Sequence, residues 1–268
     1  MIHRYLATGV GVLIITLLVV TWYERKRGAA VSPWWPAITL AWVCVQGAFG
    51  AFTVTLKLLP AIVTMHLLGG IVLLALLVRQ GVAYEHAQAG VDRATLSPAL
   101  RAGLIATLAL LWLQVALGGW VSTNYAVLAC AGFPKCQGEW WPAMNFAQGF
   151  ELWRPLGLTG GGQPIEFDAL VAIHQVHRIM ALAVFVAIGV LAWRMHQAGV
   201  LNKQVRWLVT IAVLQLFTGI SNVVLGWPLV AAVLHTAGAA ALVGILTWAA
   251  CESRASVVAV HATREVSA

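Results

Sequence analysis

Seven stretches of this chain are apolar for about 20 residues each, at roughly 5–23, 37–55, 58–78, 103–122, 171–193, 207–226 and 228–250. About 20 such residues are what a helix needs to cross the hydrocarbon core of a bilayer. Backbone polar groups in lipid must be satisfied within the segment, so long apolar runs have to be helices. The pattern predicts an all-α polytopic membrane bundle of seven transmembrane helices. The charge content agrees, because only 9% of residues are charged against roughly 25% in soluble domains. The net charge of +7 falls in short clusters between the apolar runs. A nucleic-acid binder gathers its charge on one basic face, so nucleic acid is not an expected partner. Tyr-Glu-Arg-Lys-Arg follows the first run where a signal peptide would carry small residues for cleavage, so that run reads as a membrane helix.

The loops give an orientation. Call the side reached after the first helix side one. It holds Arg25, Lys26, Arg27, Arg79, Arg93, Arg101, Arg194, Lys203, Arg206, Arg254 and Arg264, eleven cations. The other side holds three, Lys57, Lys135 and Arg154. Lysine and arginine concentrate in cytoplasmic loops. The expectation is a bacterial inner-membrane protein with its N-terminus outside and its C-terminus inside. The lipid bilayer is its first partner.

The long outside loop at 123–170 is rich in Trp, Gly and Pro and contains "LACAGFPKCQGEWWP". A loop of that length inside a compact protein is usually functional. Cys130 and Cys136 lie in it. They read as a disulfide in an oxidising compartment, or as two free thiols. Their spacing is poor for zinc.

The chain repeats one plan. "IHRYLATGVGVLI" from Ile2 parallels "VHRIMALAVFVAI" from Val176, and "QGAFGAFTV" from Gln46 parallels "QLFTGISNV" from Gln215. Gln-x3-Gly appears in both of the latter, and a third time at Gln114 and Gly118. A proline turn follows at Pro60 or Pro228, then His66 or His235, each twenty residues after its glutamine. The order in each half is a His-Arg helix, a Gln helix and a His helix. The expected organisation is an N-terminal half-bundle at 1–80, a cytoplasmic linker at 81–102, a C-terminal four-helix half-bundle at 103–250, and a cytoplasmic tail at 251–268.

This repeat places two imidazoles in each half, on two helices that run the same way. His66 and His235 fall about nine and eight residues into their helices, ~12 Å deep at 1.5 Å per residue. His177 falls about seven residues in, and His3 is its counterpart. Ionisable residues inside a membrane are expensive and usually functional. Two histidines with no carboxylate or thiolate beside them suit haem iron better than zinc. Arg4 and Arg178, next in sequence to His3 and His177, are candidates to pair with haem propionates, or they snorkel to the interface. His174, one turn before His177, is either a hydrogen-bonding support or a polar residue at the helix mouth. His86, His196 and His261 fall in cytoplasmic segments and are expected to be solvated.

With these residues in view, "LGGWVSTNYAVLACAGFPKCQGEWWP", "IHQVHRIMAL", "GISNVVLGWPLVAAVLHTAGAA" and "GAFTVTLKLLPAIVTMHLLGG" resemble the haem A synthase family in its proteobacterial form. The resemblance covers nearly the whole chain. It implies eight helices in two four-helix halves, and oxidation of a ring methyl of haem O to the formyl group of haem A. It further implies haem b on His177 and His235, the substrate haem on His3 and His66 as the catalytic pair, and a cysteine pair at Cys130 and Cys136. The partners it implies are haem O, haem O synthase and terminal oxidase subunits, with self-association compatible. The family also carries a glutamate one turn before its first histidine. On this plan that glutamate and the family's first helix would precede Met1, so a seven-helix form is expected. Two other classes share the histidine pairs. One is a di-haem cytochrome b-type electron-transfer subunit, which would reduce its haem from a quinol. The other is a haem-binding assembly protein without turnover.

Overall fold

The computed structural model describes residues 2–29, 31–89 and 93–255. Asp92 and tail residues 256–268, with His261, Arg264 and Glu265, lie outside the described residues. Seven long helices are present: α1 (Ile2–Lys26), α2 (Trp34–Thr55), α3 (Pro60–Ala89), α4 (Pro98–Thr123), α6 (Phe167–Gln197), α7 (Asn202–Val224) and α8 (Leu229–Cys251). A one-turn helix, α5 (Phe146–Gly149), lies in the long loop. Each of the seven is long and apolar enough to cross a membrane.

Every long helix overruns its apolar stretch at the linker-side end, whereas α3, α7 and α8 fall a residue or two short of theirs on the other side. The helical hydrogen-bond ladder carries on into the polar flanks once it is nucleated. The largest extension is in α3, which continues to Ala89, well into the segment expected to be linker. What remains of the linker forms β1 (Ala94–Leu96), which pairs in parallel with β2 (Ser253–Ala255), just past the end of α8. Arg101 donates to the Ser253 carbonyl at 2.8 Å, so the two ends of the C-terminal half are tied together on the linker side.

Two tight turns show the repeat in the backbone. Lys57 and Leu58 are left-handed (φ 51° and 60°), as are Gly226 and Trp227 (φ 67° and 64°). One capping residue follows in each case, Leu59 or Pro228, and then the helix starts. His66 and His235 are therefore both the seventh residue of their helices. That depth is about 9 Å, shallower than the sequence suggested. His177 is deeper than expected, the eleventh residue of α6, because α6 begins at Phe167.

α3, α4 and α8 pack against one another and join the halves, with α6 against α4 and α7 against α8. The main apolar core includes Leu104, Leu111, Ile188, Met195, Val243 and Leu246. These residues lie toward the linker side of their helices. The histidines occupy the other half of the bundle, nearer the long loop. The fold thus separates a tightly packed apolar floor from a polar upper chamber.

Candidate functional site

His3 on α1 and His66 on α3 meet with ring centroids 6.4 Å apart and ring planes at 86°. Two imidazoles on opposite sides of one metal, each nitrogen about 2 Å from it, have centroids roughly 6 Å apart. The spacing of this pair therefore fits a single iron between the rings. His177 on α6 and His235 on α8 hold the corresponding places in the C-terminal half. Among the described residues no group of three or more His, Cys, Asp or Glu side chains is placed to hold a metal.

The Gln-x3-Gly motif explains how the rings are admitted. A Cβ added to Gly50 would lie 3.3 Å from His66 Cε1. At Gly118 it would lie 3.0 Å from His177 Cε1, and at Gly219 3.1 Å from His235 Cε1. Each glycine is a cradle in which an imidazole from the facing helix rests. Positions i and i+4 share a helix face, so the motif's glutamine reaches the same neighbour. The Gln114 amide nitrogen lies 3.1 Å from His177 Nδ1 and donates to the His177 carbonyl at 3.2 Å. Gln46 and Gln215 pack against Gly69 and Gly238, each three residues beyond its histidine. Gln-x3-Gly on one helix and His-x2-Gly on the next interlock in both halves. The repeated His-x2-Gly spacing was the sequence signal that could have revealed this.

Arg178 and His174 are committed to the long loop. Arg178 Nη2 donates to the carbonyls of Cys130 (3.0 Å) and Gly132 (3.1 Å), and Nη1 to that of Lys135 (3.4 Å). Arg178 Nε lies 3.3 Å from His174 Nε2 and the Cys130 amide 3.4 Å from His174 Nδ1, and a neutral imidazole accepts at one of these two nitrogens. His174 is buried, so it is a support for Arg178 and the loop. The loop segment it holds is closed by a Cys130–Cys136 disulfide. Arg4 lies on an exposed part of α1. His86, expected to be solvated, instead pairs with Glu252 at 2.9 Å, which the sequence separation of 166 residues concealed.

The rest of the loop packs as a cap. Trp120 Nε1 donates to the Gly149 carbonyl at 2.8 Å, and Arg154 Nη2 to Asn124 Oδ1 at 2.5 Å. Arg154 is 1% exposed. Burial pushes its guanidinium below its ordinary value, and Glu151 works against that shift. Thr64 and Thr123 share a hydrogen bond between α3 and α4 at 3.0 Å. Beside His66, a cleft of about 240 Å³ opens between α3, α4 and the cap, lined by Ala61, Thr64, Met65, Trp120, Leu152 and Trp153.

Known proteins resemble this chain over most of its length. Residues 1–247 match the COX15-CtaA family model, described as cytochrome oxidase assembly protein. A protein of Shewanella oneidensis named heme A synthase is 33% identical over 242 residues, 90% of this chain and 72% of that one. Proteins of the same name from Rhizorhabdus wittichii and Halalkalibacterium halodurans are 27% and 23% identical, over 92% and 87% of this chain and 69% and 72% of theirs. Seven membrane-capable helices and matches of this extent make the chain a multi-pass membrane protein, and it belongs to the COX15-CtaA family of cytochrome oxidase assembly proteins.

Proposed function

We propose that this chain is a haem A synthase, a membrane oxidoreductase that converts a ring methyl of haem O to the formyl group of haem A. In this reading His3 and His66 hold the substrate haem, and His177 and His235 hold haem b. The observation that carries it is the pair of opposed imidazoles in the N-terminal half, at 6.4 Å, repeated in plan by a second pair. A methyl C–H is too weakly acidic for a side-chain base, so the bound haem supplies the oxidising chemistry.

The protein's own contribution is placement. The glycine cradles fix how closely each ring approaches its neighbouring helix. The cap packs over the loop-side ends of the helices, with Arg178 and the disulfide holding its edge. Arg4 and Arg178 are the cations on the loop side that would meet propionates, and Arg178 would share its guanidinium between a propionate and the loop carbonyls. The eleven-to-three distribution of cations supports an inner-membrane setting with the cap and N-terminus outside.

The test is haem extraction with mass-resolved chromatography, from cells making haem O with and without this chain. A haem A peak, or its hydroxylated precursor, that depends on the chain is the expected result. Haem O and haem b alone would overturn the proposal. His66→Ala is expected to stop product formation and leave the haem b absorbance. His235→Ala is expected to remove that absorbance.

A further inference from the structure

The two halves treat their imidazoles differently at Nδ1. His235 Nδ1 lies 3.0 Å from Thr218 Oγ1. That hydroxyl has three acceptors on its own helix, the Leu214 carbonyl at 2.9 Å, the Gln215 carbonyl at 3.2 Å and Gln215 Oε1 at 3.4 Å. With its one proton given to any of these, its lone pairs are left for the ring. It is therefore an acceptor for an Nδ1–H, the tautomer an imidazole has when Nε2 binds a metal. His177 Nδ1 has the Gln114 amide at 3.1 Å, and the oxygen of that amide is buried without a partner. That amide nitrogen also donates to the His177 carbonyl at 3.2 Å, which fixes it as the donor end, so Gln114 is no acceptor for an Nδ1–H. In the N-terminal half His66 Nδ1 is buried with no hydrogen-bond partner. The Gln46 backbone carbonyl lies toward His66 as the Gln215 carbonyl lies toward His235, so the halves differ in the threonine and not in this carbonyl. Among the described residues no side chain bonds to either ring of the N-terminal pair.

The repeat shows why. Thr218 stands three residues after Gln215, and the matching residue after Gln46 is Phe49, which has no acceptor. We propose that Thr218 is a positioning residue that makes the C-terminal half a haem-retaining site, and that the lack of such a side-chain partner at His66 makes the N-terminal half a haem-exchanging site. This rests on the reading of both pairs as haem ligands. The physical reason is ligand basicity. An acceptor on Nδ1–H orients the ring and strengthens its donation to iron, and losing such outer partners lowers metal affinity about 10- to 100-fold. A resident haem needs that strength. A haem that arrives as substrate and leaves as product does not.

The experiment uses the purified full chain and follows haem b loss to an excess of apomyoglobin, with the midpoint potential of the same haem measured separately. Thr218→Val is expected to speed haem b loss at least about tenfold and to raise its potential, because a weaker imidazole donor stabilises ferric iron less. Thr218→Ser is expected to restore both values. Should valine prevent folding, Thr218→Ala against Thr218→Ser carries the same comparison. In the other half, Phe49→Thr is expected to slow haem loss. Unchanged rates and potentials in the Thr218 variants, with His235→Ala still abolishing haem b, would overturn the positioning role alone. An intact haem b signal in His235→Ala would overturn the ligand reading beneath it.

Discussion

Gly118→Ala tests the cradle, because it separates haem binding from folding. The added Cβ would stand 3.0 Å from His177 Cε1, where carbon atoms pack comfortably at about 3.5–4.0 Å. The ring has to give by a few tenths of an ångström, whereas a metal–imidazole distance holds to about 0.2 Å. The stability cost is small by comparison. Overpacking costs about 1–3 kcal/mol, and replacing a mid-helix glycine returns about 0.5–1 kcal/mol. The net loss is about 0–2 kcal/mol. The expected outcome is a chain that still purifies with near-normal thermal unfolding but has lost most of its low-spin haem b absorbance per mole of protein. Gly189→Ala is the control, since its Cβ would meet nothing within 4 Å. A Gly118→Ala chain with the parent's haem spectrum, still dependent on His177, would show that the ring does not use this cradle.

Arg154→Leu should loosen the cap by about 2 kcal/mol, because it strands the buried Asn124 and Leu158 acceptors, and limited proteolysis between α5 and α6 should speed up accordingly. Alkylation without a reductant should leave Cys130 and Cys136 unlabelled, and prior reduction should expose both. Labelling of either before reduction would contradict the disulfide. Glu252→Gln takes the charge from a largely buried pair with His86 but keeps an acceptor oxygen, so its cost should stay near about 1 kcal/mol. A larger drop in thermal stability would mean that the contact does more than tie the linker side together.

The sequence alone determined how many helices cross the membrane, where the turns fall and which histidines match between halves. Those are local properties. Twenty apolar residues force a helix in lipid, and Gln46 to His66 and Gln215 to His235 share a spacing that can be read without coordinates. The helix ends were less legible, as α3 and α6 show, because a helix does not stop where hydropathy stops. Tertiary structure alone decided which group each polar atom meets. Arg178 carries a loop segment more than forty residues away in sequence, His86 finds Glu252, and Gly118 makes room for His177. Thr218 is one of two threonines on α7 until α7 and α8 pack and bring its hydroxyl to His235 Nδ1. Such contacts depend on how each helix is rotated about its axis and how far it slides along its neighbour. Packing of the whole bundle sets both, and neither leaves a periodic trace in the chain.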